Sequence, residues 1–237
     1  MPLAFVVNVF AQPNPFMHSL WRHIHWFPRR QFYFATEENR NKYDNFVLNI
    51  FRHPYRVRKA AEHLYNNLEL QLAARGVHPV SKIHTAAESN RNISLGSFLG
   101  VHGRRGDFVE YDWIGNLSSI VIWQESIAYT MEYLKYEKEL KVFYLASDET
   151  SLDAYEMLYR YNMIRIFDLM DSEFVSEYTY LGVFGDWLAL LDQHILARSE
   201  FFIATYMSSL SGGVLNMRKG LGVKNDPTTR EWMESLL

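Results

Sequence analysis

From Leu95 onward, short apolar runs alternate with longer amphipathic stretches. Phe98, Leu99 and Val101 predict a buried strand over 97–101, and a helix is expected over 119–136. Lys141 to Ala146 predicts a second strand, followed by a helix over 151–161 that opens at Asp148-Glu149-Thr150. A third strand is expected over 163–167, a helix from Gly185-Asp186-Trp187 to about Ala197, and a fourth strand over 201–205. Ser208 or Ser209 then caps a last helix ending near Arg218, with Gly220 beyond it. Strands and helices in strict alternation imply an α/β fold built on a Rossmann-like parallel sheet with helices on its faces.

The first part of the chain breaks that pattern. Residues 1 to about 45 read as irregular, interrupted by Pro13, Pro15 and Pro28, and one helix is expected over 56–75 with Ala60, Leu64 and Leu68 on one face. The expected organisation is therefore an irregular to helical N-terminal segment, 1–94, and a Rossmann-like domain, 95–237.

Composition narrows the options. Hydrophobic residues make up 48% of the 237, and aromatics 16%, which is enough for a large core and excludes general disorder. A net charge of −3 gives no electrostatic case for nucleic acid or an anionic membrane, so any basic site is local. No apolar run reaches the roughly 18 residues that span a bilayer. With no cysteine, disulfides, zinc-thiolate sites and a cysteine nucleophile are excluded. Met1 to Phe10 is apolar but lacks a basic leader and a small-residue cleavage site, so it is not read as a signal peptide. His18, His23 and His25 have no carboxylate at a useful spacing and are read as structural, with no metal expected.

The candidate chemistry lies at three strand ends, which a parallel sheet would bring to one edge. The first is His102-Gly103-Arg104-Arg105-Gly106-Asp107, where two guanidiniums follow a buried strand. Arginine presents a planar fork that grips phosphate through two hydrogen bonds, so an anion pocket is one reading. A solvated loop with its arginines paired to Asp107 and Glu110 is the other. The second end is Ser147-Asp148-Glu149, read as acidic capping of a helix start. The third is Thr205 to Gly213, where Ser208, Ser209 and Ser211 sit at the opening of the last helix. Unpaired amides and hydroxyls at a helix start suit a phosphate, although a plain cap accounts for one of the serines. No Gly-x-x-x-x-Gly-Lys-Ser/Thr loop, Gly-x-Gly-x-x-Gly or Asp-x-Asp occurs in the chain. A diphosphate bound here without metal would be neutralised by arginine and helix N-termini.

With both loops set out, the His-x-Arg-Arg-Gly-Asp-Phe stretch at 102–108 resembles the signature of the GDP-fucose-dependent fucosyltransferases, most closely the protein O-fucosyltransferases. Asp192-Gln193-His194-Ile195, Phe201 to Thr205 and Ser208-Ser209-Leu210 are similar to the family's second motif, in order and spacing. The resemblance covers about residues 50–237 and implies the donor-binding half of a GT-B glycosyltransferase with an incomplete N-terminal segment. It implies metal-independent, inverting transfer of fucose from GDP-fucose to a protein Ser or Thr hydroxyl, in a family that works in the endoplasmic reticulum and Golgi lumen. Arg104 would stabilise the departing diphosphate, and His102 and Asp107 would shape the nucleotide pocket. Asp192 would recognise the nucleoside, and Ser208, Ser209 and Leu210 would contact the phosphates. Gly103, Ala204 and Ser209-Leu210 depart modestly from the family's pattern, and no general base is assigned. Two other functions fit the same residues. One is a GDP-sugar-binding protein without catalysis, and the other an interaction module whose arginines hold an acidic partner.

Overall fold

A computed structural model of the chain describes residues 53–77, 83–85, 92–105, 124–125, 127–132, 140–178, 184–205, 208–221 and 223. All lie within the compact unit Leu48–Leu237. The fold is α/β. Its centre is a four-stranded, all-parallel sheet of β3 (Gly96–His102), β4 (Phe143–Ala146), β5 (Met163–Ile164) and β6 (Ser199–Ile203). A short antiparallel ribbon, β1 (Ile83–Thr85) with β2 (Asn92–Ser94), precedes it and was not expected from the sequence pattern. The helices are α1 (Tyr55–Ala74), α2 (Asp153–Tyr159), α3 (Ser172–Tyr178), α4 (Phe184–Ala197) and α5 (Ser209–Gly220), with residues 124–125 and 127–132 also helical.

The spatial order of the sheet is β5-β4-β3-β6. The chain starts in the middle with β3, steps outward twice on one side, then returns to the other side of β3. Such a reversal opens a crevice at the carboxyl ends of β3 and β6, where α/β sheets bind their ligands.

Strand β3 is buried on both faces, as a central parallel strand must be. Phe98 joins Tyr144, Ile164 and Phe202 in a core covered by α1, α4 and α5. Leu99 and Val101 join Phe143, Leu145, Met163 and Ile203 in a second core on the opposite face, with Ile127, Met131 and α2. Gly100 is required by close approach: a Cβ there would sit 2.7 Å from the Ser199 hydroxyl and 3.0 Å from Leu196.

Helix α1, expected within the N-terminal segment, packs into the core of this α/β unit through Val57, Ala60, Ala61, Leu64, Leu68 and Leu72. Along its flank, side chains at four-residue spacing grip the segment from Asp168 to Glu177. Lys59 pairs with Glu177 at 3.0 Å, His63 meets Asp171 at 3.1 Å, and Asn67 and Gln71 donate to the carbonyls of Leu169 and Asp168. Gly76, with φ of +70°, turns the chain out of the helix while the Val77 amide bonds back to Leu72.

Two expected elements end elsewhere. The third strand stops at Ile164 because the Asp168 carboxylate takes the Arg165 amide at 2.8 Å and residues Ile166–Leu169 wind into a 3-10 turn. The fourth strand ends at Ile203, which leaves Thr205 in the following loop.

Candidate functional site

The crevice at the β3/β6 reversal is closed by hydrogen bonds between the two loops that the sequence singled out. The Thr205 hydroxyl bonds the carbonyl of His102 and accepts the Arg104 amide at 3.2 Å. Across from it, the Ser211 hydroxyl accepts the Thr205 amide at 2.9 Å and lies 2.8 Å from Nδ1 of His102. Residues more than one hundred positions apart thus form one closed ring of contacts. The arginine loop and the start of α5 are side by side.

His102 and Ser211 are buried. Burial, and then the neighbouring Arg104 charge, hold the His102 imidazole down at about 3, so it is neutral at physiological pH. The positive charge in this part of the crevice is that of Arg104. Its side chain is 27% exposed, and its Nε lies 3.7 Å from Asp148 at the end of β4.

Arg105 has a different role. Its Nε donates to Glu149 at 2.7 Å, both side chains nearly buried, and its amide donates to Asp148 at 2.7 Å. This guanidinium is a fastener between the β3 and β4 loops. Burial works to raise the Glu149 carboxyl, but the Ser151 amide, Arg105 and the Thr150 amide together hold it below its ordinary value. The acidic pair therefore does something other than cap α2. Glu149 takes the amides of Thr150 and Ser151 ahead of the helix, and the capping position itself is Leu152 with no side-chain bond. Ser147 closes the same corner by donating to the Gly103 carbonyl at 2.5 Å.

Ser208 precedes α5 and is buried, and its hydroxyl finds no hydrogen-bond partner among the described residues. Ser209 is exposed and Leu210 half-buried against the core. Gly213 is there for packing, since a Cβ would fall 2.3 Å from the Gln193 amide that bridges α4 to the Leu210 carbonyl at 3.2 Å. Gly212 faces open space.

Asp192 belongs to a separate network. It is buried on α4, where the Tyr144 hydroxyl of β4 donates to it, beneath the sheet. Desolvation lifts its carboxyl to about 7, opposed by the Tyr144 hydrogen bond and the Arg165 charge. The structure thus brings His102, Arg104 and the opening of α5 together and places Asp192 in the core layer. Asp107 lies outside the described residues. Thr205 and Ser211, whose contacts close the ring, carry no spacing signal that could have assigned them these contacts. Among the described residues, no three His, Asp or Glu side chains gather as a metal would require.

No family model matches the chain, and no curated protein matches it. Among solved structures, it is similar to POFUT1 in complex with GDP-fucose, at 15% identity and a TM-score of 0.39. That alignment covers 75% of this chain and 46% of the other, so the chain spans less than half the length of its structural neighbour. No helix among the described residues is long and apolar enough to cross a membrane.

Proposed function

We propose that the β3/β6 crevice binds the diphosphate of a GDP-sugar and that the protein is a fucosyltransferase-type enzyme. In this reading it transfers fucose from GDP-fucose to a protein Ser or Thr hydroxyl, with inversion and without metal. The observation that carries the reading is the ring of hydrogen bonds joining the His102–Arg104 loop to Thr205 and Ser211 at the reversal of strand order. His102 and Arg104 of the first stretch and Thr205 of the second meet there.

The chemistry asked of the site is modest. The acceptor hydroxyl oxygen attacks the anomeric carbon on the face opposite the diphosphate and gives its proton to water, while the bond to the β-phosphate oxygen breaks and its electron pair leaves with GDP. Negative charge grows on the diphosphate as that bond opens. A fixed guanidinium stabilises it more in the transition state than in the ground state, and so lowers the barrier. Arg104 fills that role, with its backbone amide already held by Thr205. The first-turn amides of α5 and the buried hydroxyl of Ser208 provide further donors. Neutral His102 shapes the floor. Asp192, buried beneath the sheet against Tyr144, stands apart from this set.

Titration calorimetry with GDP and GDP-fucose tests the reading. Micromolar binding is expected, weakened about a hundredfold by Arg104→Ala and severely by Arg104→Lys, because lysine lacks the two-pronged geometry. Absence of GDP binding to the wild-type chain overturns it and leaves an interaction module for acidic partners. Transfer or hydrolysis of GDP-fucose separates an enzyme from a binding protein.

A further inference from the structure

We propose that Ser211 and Thr205 are positioning residues for the crevice: Ser211 donates its hydroxyl proton to Nδ1 of His102 and fixes the imidazole as the Nε2–H tautomer, while Thr205 fixes the main chain that carries Arg104. Its consequence for ligand binding rests on the reading of the crevice as a GDP-sugar site; its tautomer arm does not.

The donors and acceptors around Ser211 favour this arrangement. The Ser211 oxygen already accepts the Thr205 amide at 2.9 Å, and its own proton remains to be given. Nδ1 of His102 stands 2.8 Å away, in a buried pair. An imidazole kept neutral by burial and by the Arg104 charge has one bare nitrogen and one N–H. With Nδ1 accepting from Ser211, the proton sits on Nε2, and the ring offers a donor rather than an acceptor on its far side. A neutral donor beside a guanidinium suits an anion without adding a second charge.

Thr205 acts on the backbone. One hydroxyl bonds the His102 carbonyl and receives the Arg104 amide, so it holds both ends of the Gly103 step. Gly103 is also held at its own groups, its amide bonded to Ala146 and its carbonyl to Ser147. A valine at 205 keeps the shape of threonine but provides neither bond, whereas a serine keeps both. The two side chains also share a fate, because the Thr205 amide is one of the two partners of Ser211. Loss of either loosens the other.

The test is nitrogen-15 NMR of the whole chain, reading the His102 ring nitrogens through their long-range couplings to the ring protons, together with GDP calorimetry on the same samples. Wild type is expected to show the Nε2–H tautomer from pH 5.5 to 8, and Ser211→Ala to lose that bias. Thr205→Val is expected to weaken GDP about tenfold, and Thr205→Ser to restore it. A wild-type Nδ1–H tautomer, an imidazolium at pH 7, or an unaltered tautomer in Ser211→Ala overturns the proposal. So does full GDP affinity in Thr205→Val. Should Ser211→Ala fail to fold, the wild-type tautomer and the Thr205 pair still decide. Should wild type bind no GDP, the proposed function falls while the tautomer measurement continues to judge the Ser211 contact.

Discussion

At the carboxyl edge of the sheet, Arg104 lies part-exposed with a carboxylate 3.7 Å from its Nε. At the amino edge, Arg218 near the end of α5 is 2% exposed and gives its protons to the carbonyls of Ala197, Ser199 and Glu200 at 2.6 to 3.4 Å. One helix therefore carries the crevice at its start and a sealed guanidinium at its end. The carbonyls that Arg218 takes include the last turn of α4, where a cation complements the helix dipole. A buried guanidinium bonded to main-chain carbonyls holds elements together, whereas Arg104 is part-exposed and stands beside Asp148 at the crevice. Arg105 shows that residue type and edge do not decide the matter. It stands one position from Arg104, yet is committed to Glu149.

The largest effect is expected from exchanging the two roles. Arg218→Ala should cost about 3 to 5 kcal/mol in urea unfolding, since it strands buried carbonyls and leaves a cavity. Arg104→Ala should change stability by under about 1 kcal/mol while weakening GDP about a hundredfold. Comparable losses of stability in the two variants would erase the distinction between the edges. Next, Glu149→Ala should cost about 2 to 3 kcal/mol, because it leaves the Arg105 charge nearly buried without its partner. Gly100→Ala should cost about 2 kcal/mol by pushing β3 away from Ser199 and Leu196; unchanged stability would show that the strand spacing gives way easily.

How much of this was open to reading from residue order alone differs between the sheet and the site. The strands β3 and β4 announce themselves as uninterrupted apolar runs, and α4 and α5 as periodic stretches with acid or serine ahead of them. The last residues of the third strand were misleading because Ile166 and Phe167 look strand-like, while Asp168, three residues after Arg165, claims that residue's amide. Helix α3 was invisible for another reason: it has seven residues and a single buried side chain, Phe174, too few to show a period. In the site, the arginine loop and the serine cluster could be picked out, since each is chemically unusual within a few positions. Their partners could not. The surplus of small residues after Ser208 looked like a phosphate cradle, yet Ser211 is spoken for by His102 and Gly213 makes room for Gln193. Those assignments depend on residues brought together only by the β3/β6 pairing.

A further effect is a pH dependence in the core. Asp192 titrates near 7 in the folded chain against 3.8 as its ordinary value. An acid whose folded value is raised stabilises the fold fully below the ordinary value, and that contribution is lost as pH rises through the folded one. The stability difference between wild type and Asp192→Asn should therefore shrink from pH 4 to pH 8, measured by urea unfolding at each pH. His102 and His194, both held near 3, tilt the total in the opposite sense below their ordinary 6.5, which the difference cancels. A difference that is flat across this window would mean that Asp192 is ionised in the fold.

The register Val101↔Ile203 joins strands separated by most of the Rossmann-like region. A chain emerging during synthesis presents its arginine loop long before the opposing serine turn exists. Under the proposed function, ligand affinity would be an end-point signal of assembly: a partly folded species that lacks β6 would lack half of the crevice, and binding would report only on chains that have closed their sheet.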